Sequence, residues 1–117
     1  MKKQTELGTI EIAPEVFTAI SGVAATNCFG VRGMVSRSVS DGIVYLLKKD
    51  NLSKGIKVTF LPDDTVKIDL RIAVEHGVNI PAVCDSIISE VRYIVEKKTG
   101  VRVSKVDVRV DSILAGQ

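Results

Sequence analysis

The sequence predicts an α+β fold, a two-layer sandwich of the split-βαβ kind with a long C-terminal helix packed on a small sheet. Three stretches predict it. Between residues 79 and 98 the apolar positions Ile80, Val83, Cys84, Ile87, Ile88, Val91, Ile94 and Val95 recur at the period of a helix with one buried face. Residues 56–60 and 66–74 alternate apolar with polar, as half-buried strands do. Pro62-Asp63-Asp64 between them has the chemistry of a tight turn, so the pair reads as an antiparallel hairpin. Beyond the helix, Val106, Val108, Val110 and Leu114 carry a last alternating strand. The predicted order is strand, helix, helix, strand, strand, helix, strand.

Taken in order, residues 7–12 read as a short edge strand, with Ile10 and Ile12 on one face and Thr9 and Glu11 on the other. Pro14 opens a helix to about Asn27, whose apolar stripe is Val16, Phe17, Ile20, Val23 and Ala24. Ala19, Gly22 and Ala25 keep its surface low, which predicts close approach by another backbone. Residues 29–36 contain Gly30 and Gly33, break the helical period and read as a loop or a very short extended piece. A second helix follows, with Ser40 and Asp41 as capping candidates, Val39, Ile43, Leu46 and Leu47 on one side, and Gly55 as its stop. Both ends of the long helix are written locally: Asn79 as N-cap, Pro81 in the first turn, and Gly100 after Lys97 and Lys98. Val101 and Val103 are out of phase with the valines that follow, so Ser104-Lys105 is expected to reset the register as a turn or bulge.

A chain of 117 residues with 45% apolar and 26% charged residues is expected to be one globular domain, 1–117, with an ordered core from about residue 7 to 113. With 4% aromatics and no Trp, that core must be aliphatic. Cys28 and Cys84 have neither CxxC spacing nor a His cluster beside them, and read as reduced, buried thiols. The first residues are polar and interrupted by Glu6 and Glu11, unlike a signal peptide, and no run approaches the ~20 apolar residues of a membrane span. A cytoplasmic protein is expected.

Catalytic chemistry has little to stand on. His76 is the only histidine and sits at a strand end; Asp63-Asp64 make a turn before they make a metal pair. No His, Cys and carboxylate cluster has ligand spacing, so no metal, no cofactor and no enzymatic activity are expected. Charge is more informative than chemistry. Residues 29–60 concentrate Arg32, Arg37, Lys48, Lys49, Lys54 and Lys57 against Asp41 and Asp50. The candidate interaction surface is therefore Gly30, Arg32, Gly33, Met34, Arg37, Lys48, Lys49 and Lys54, a basic face for an acidic protein partner. Gly30-Val31-Arg32-Gly33 also has the GxxG form with which KH domains clamp a nucleic-acid backbone; the alternative is a turn that needs permissive residues. Edge strands and the small helix residues predict self-association as a symmetric dimer.

Several motifs together identify a family. Gly8-Thr9-Ile10-Glu11-Ile12-Ala13-Pro14-Glu15-Val16 is followed by Gly22-Val23-Ala24-Ala25, Gly30-Val31-Arg32-Gly33-Met34 and Asp41-Gly42-Ile43. Then come Leu52-Ser53-Lys54-Gly55-Ile56-Lys57-Val58, Gly77-Val78-Asn79-Ile80-Pro81 and Thr99-Gly100. From about residue 7 to 113 the chain resembles the alkaline-shock, or envelope-stress, protein family of Gram-positive bacteria, in particular its short, single-domain members. The resemblance implies a cytoplasmic accessory or regulatory protein, without assigned catalysis or cofactor, acting through protein contacts and connected to lipid metabolism. Some members self-assemble and gather at the membrane through a separate anchor protein. His76 stands where an aromatic residue is expected, and the charged terminal extensions of larger members are missing, so membrane association is expected only indirectly, through an anchor protein, if at all.

Overall fold

The computed structural model describes residues 1–35 and 55–115. The second predicted helix, with Arg37, Lys48, Lys49 and Lys54, lies outside the described residues. The elements are β1 (Lys2–Thr5), β2 (Gly8–Glu11), α1 (Pro14–Thr26), β3 (Val31–Met34), β4 (Ile56–Phe60), β5 (Val66–Glu75), α2 (Ile80–Thr99) and β6 (Val103–Leu114). The α+β class and the long helix on a small sheet are as the sequence predicts.

The sheet is built around β5. Its first half pairs antiparallel with β4, from Ile56 opposite Leu70 to Phe60 opposite Val66, through the predicted turn. In that turn Asp63 Oδ1 accepts from the Thr65 hydroxyl at 2.6 Å and from its N–H at 3.2 Å. The second half pairs with β3, and the other edge of β5 is taken over its whole length by β6, running parallel. Parallel neighbours need a crossover, and α2 supplies it.

Alternation decides which face is the core. Val66, Ile68, Leu70, Ile72 and Val74 of β5 are at most 1% exposed, and Val83, Ile87, Val91 and Val95 of α2 cover them, none more than 5% exposed. Each such side chain contributes about 1.5–3 kcal/mol by leaving water. The ends of α2 are capped as predicted. Asn79 Oδ1 accepts from the Ala82 N–H at 3.0 Å, and Gly100, at φ 73°, donates its N–H to Glu96 O at 2.9 Å.

The structure corrects the sequence reading at three places. Residues 7–12 are not an edge strand of the main sheet: β2 pairs with β1 in a two-stranded sheet of its own. Lys2-Lys3-Gln4-Thr5 has no apolar alternation to announce a strand, and every residue of both strands is exposed. The apolar stripe of α1 is rotated, because Phe17, Ser21, Ala24 and Ala25 are buried while Val16 and Val23 are 42% and 48% exposed. Phe17 sets that rotation by packing edge-on against Phe60, ring centres 5.4 Å apart. Finally, the last strand begins at Val103 and not after the register shift. The shift itself is where it was expected, since Val66 faces Val103 and Lys67 faces Lys105, leaving Ser104 as the extra residue. A second shift, at Asp111, has no counterpart in the sequence reading.

Candidate functional site: the glycine turn and the outer face of the sheet

The glycines of the predicted surface hold the frame together. Gly30 follows α1 with φ 88°, and a Cβ there would stand 2.9 Å from Val83 Cγ2 and 3.2 Å from Val78 Cγ1. Its carbonyl accepts from the Glu75 N–H at 2.8 Å. Only a residue without a side chain lets the start of α2 come this near. Gly33 lies inside β3, opposite Ala73, and Met34 has no exposed surface. Met34 is thus a core residue, a correction to its place on the interaction surface. A bulge between Val31 and Gly33 leaves Arg32 exposed, its Nη1 donating to the Ala115 carbonyl at 3.2 Å. A KH-type clamp needs Gly30 and Gly33 in an open loop, whereas here they form a packed turn and a paired strand.

The arrangement of charge is instead most developed on the outer face of the sheet. Every residue of β5 that does not point at the helices up to the second register shift is charged: Lys67, Asp69 and Arg71. Parallel pairing sets Lys105 beside Lys67, Asp107 beside Asp69 and Arg109 beside Arg71, and antiparallel pairing adds Lys57 beside Asp69. Lys67 and Lys105 both reach Asp107, at 3.6 and 3.8 Å. Asp111 receives Arg109 Nε at 2.7 Å and lies 3.6 Å from Arg71 Nη1. A shallow cavity of about 430 Å³ opens between these side chains. The exposed pairs at Asp107 contribute little to stability, about 0–1 kcal/mol each, so those lysines are free to exchange their partner for another, whereas Asp111 is largely covered.

Sequence reasoning placed the candidate surface on residues 30–54, counted Lys57 only within the basic stretch 29–60, and did not join it to Lys67, Arg71 and Arg109. The signal was present: Lys67-Ile68-Asp69-Leu70-Arg71 and Lys105-Val106-Asp107-Val108-Arg109 have the same charge order. Parallel, in-register pairing is what turns that likeness into a patch.

Other candidates have ordinary duties. His76 is exposed and donates its backbone N–H to Leu114 O at 2.8 Å, closing the end of the sheet. Cys28 and Cys84 are free but only half-buried, where full burial was expected; burial raises both thiol pKa values, with Glu90 adding to it at Cys28 and Asp85 at Cys84. No group of His, Cys and carboxylates that could hold a metal occurs among the described residues. Among them, no helix is long and apolar enough to cross a membrane.

Comparison with known proteins places this arrangement. The chain is 32% identical over 111 residues to the uncharacterized protein YloU of Bacillus subtilis, covering 94% of this chain and 92% of that one. It is 35% identical to YqhY of the same organism, over 95% of this chain and 81% of the relative. Spy1614 of Streptococcus pyogenes is 33% identical over 97% of this chain and 93% of its own length. Among solved structures a MamM-CTD variant superposes with a TM-score of 0.51 at 17% identity, covering 90% of this chain and 100% of the other, a likeness of fold alone. A family model of cell envelope-related function matches residues 2–115. The chain therefore belongs to the alkaline shock protein 23 family.

Proposed function

We propose that this protein is a non-enzymatic, cytoplasmic accessory protein of the envelope stress response that works by holding another protein on the outer face of its sheet. The observation that supports this most is the ordered array of Lys57, Lys67, Arg71, Lys105 and Arg109 interleaved with Asp69, Asp107 and Asp111. The array has more cations than carboxylates, so the complementary partner is a protein surface that is acidic but carries positions for the three aspartates as well. A phosphate backbone would meet those carboxylates unfavourably, and bases would find no aromatic side chain among the array residues on which to stack.

The test is capture from the native cell at physiological salt, with and without nuclease, by the natural chain and by a Lys57→Glu, Lys67→Glu double variant. Loss of a nuclease-resistant protein from the double variant is the expected result. Undiminished capture would place the working surface elsewhere, and capture abolished by nuclease would make the partner RNA.

A further inference from the structure

The edge of the sheet formed by β6 carries a self-complementary charge sequence. Among the described residues β6 pairs only with β5, so one side of a strand running from Val103 to Leu114 offers backbone N–H and C=O groups to a further strand. At ~3.3 Å per residue that edge is about 40 Å long. On it Lys105, Asp107, Arg109 and Asp111 share the outer face. Val106 is buried on the inner face, whereas Val108 and Val110 are only partly covered.

We propose that β6 pairs antiparallel with β6 of a second copy of this chain, about a two-fold axis at Val108. Two-fold antiparallel pairing keeps each face of the sheet continuous across the junction, so outward residues must oppose outward ones. With the axis at Val108, Lys105 opposes Asp111 of the second copy, Asp107 opposes Arg109, Val106 opposes Val110, and Val108 opposes itself. Every charge then faces its opposite. Moving the axis to Asp107 sets that residue against itself and Lys105 against Arg109; moving it to Arg109 sets Asp107 against Asp111. Like charges directly opposite are unfavourable. The two adjacent registers are therefore disfavoured by the same residues that favour this one, and the next ones out, with the axis at Val106 or Val110, set unlike charges opposite each other at two positions instead of four. Exposed edges are ordinarily guarded by charge; here the guard favours one partner, and most strongly the register with the most unlike-charge oppositions. The segment between the two register shifts, from Lys105 to Val110, is regular and contains both Asp107–Arg109 oppositions, whereas Asp111 is the extra residue of the second shift and opposes Lys105 at its edge. Pairing would also extend the inner face past Val108 and Val110, covering the side chains that one copy leaves partly exposed.

This goes beyond the function proposed above, which concerns a different protein and can fail independently. Light scattering of the natural chain at high micromolar concentration should give a dimer mass, and a monomer mass overturns the inference. Arg109→Asp should weaken the dimer by on the order of tenfold, since each interface contains that opposition twice, while Lys57→Glu with Lys67→Glu should leave the mass unchanged. The register is read by cross-linking in a chain with Cys28→Ala and Cys84→Ala. Oxidised Val108→Cys should form a covalent dimer, whereas Val106→Cys and Val110→Cys should not, because each faces the other four residues along the strand. Equal cross-linking at the three positions, or none at Val108, overturns it.

Discussion

The inner and outer faces of β5 differ in what can be changed on them. Inward, Val66, Ile68, Leu70, Ile72 and Val74 are at most 1% exposed and packed against α2; outward, Lys67, Asp69 and Arg71 are partly exposed, with Lys67 and Arg71 each 3.6 Å from an aspartate of β6. One strand thus carries a face that specifies the fold and a face that the fold merely displays. Apolar burial is non-directional and cumulative, whereas exposed ion pairs are screened and nearly neutral in energy. The lesson is that charge on this sheet is informative about partners because stability does not require it.

Substitutions on the two faces should break that symmetry in order of size. Ile87→Ala, at a fully buried position of α2, should cost about 2–5 kcal/mol by loss of transfer energy and formation of a cavity. Denaturant midpoints measure it. Gly30→Ala should cost about 1–3 kcal/mol, from a left-handed backbone and from the 2.9 Å approach of Val83. Gly100→Ala is the control, since its φ is 73° but nothing lies within 4 Å of a Cβ there, so it should cost less. Asn79→Ala should remove about 1 kcal/mol of capping and nothing else. Lys57→Glu and Lys67→Glu should each change stability by under about 0.5 kcal/mol, within reach of a thermal melt. A large loss from that pair would show that the outer face is structural after all.

The smallest effect concerns pH. The hydrogen bond from the Thr65 hydroxyl is the main cause of a lowered Asp63 pKa, below its ordinary 3.8. A carboxyl lowered on folding contributes stability above its unfolded pKa and loses it as pH falls through the folded one. Asp63→Ala should therefore lower the melting temperature slightly at pH 7, and the difference from the natural chain should shrink in acid below the ordinary value. A difference that persists there would assign the effect to the turn's backbone alone.

The sequence by itself determined whatever is local. Period-two alternation marked β4 and β5, period-3.6 recurrence marked α2, and Asn79, Pro81 and Gly100 marked its limits, because each signal arises between residues a few positions apart. The phase change at Ser104 was legible for the same reason. Tertiary structure decided whatever depends on a distant partner. It set β6 parallel beside β5, paired β2 with Lys2–Thr5 instead of the main sheet, turned α1 so that Phe17 met Phe60, and drew Met34 into the core. Burial energy is proportional to area and indifferent to which neighbour supplies it, so an apolar pattern announces that a face will be covered without naming what covers it. The candidate site followed the same division: the charges of β4, β5 and β6 stood in the sequence at alternate positions, but only strand order brought them onto one surface.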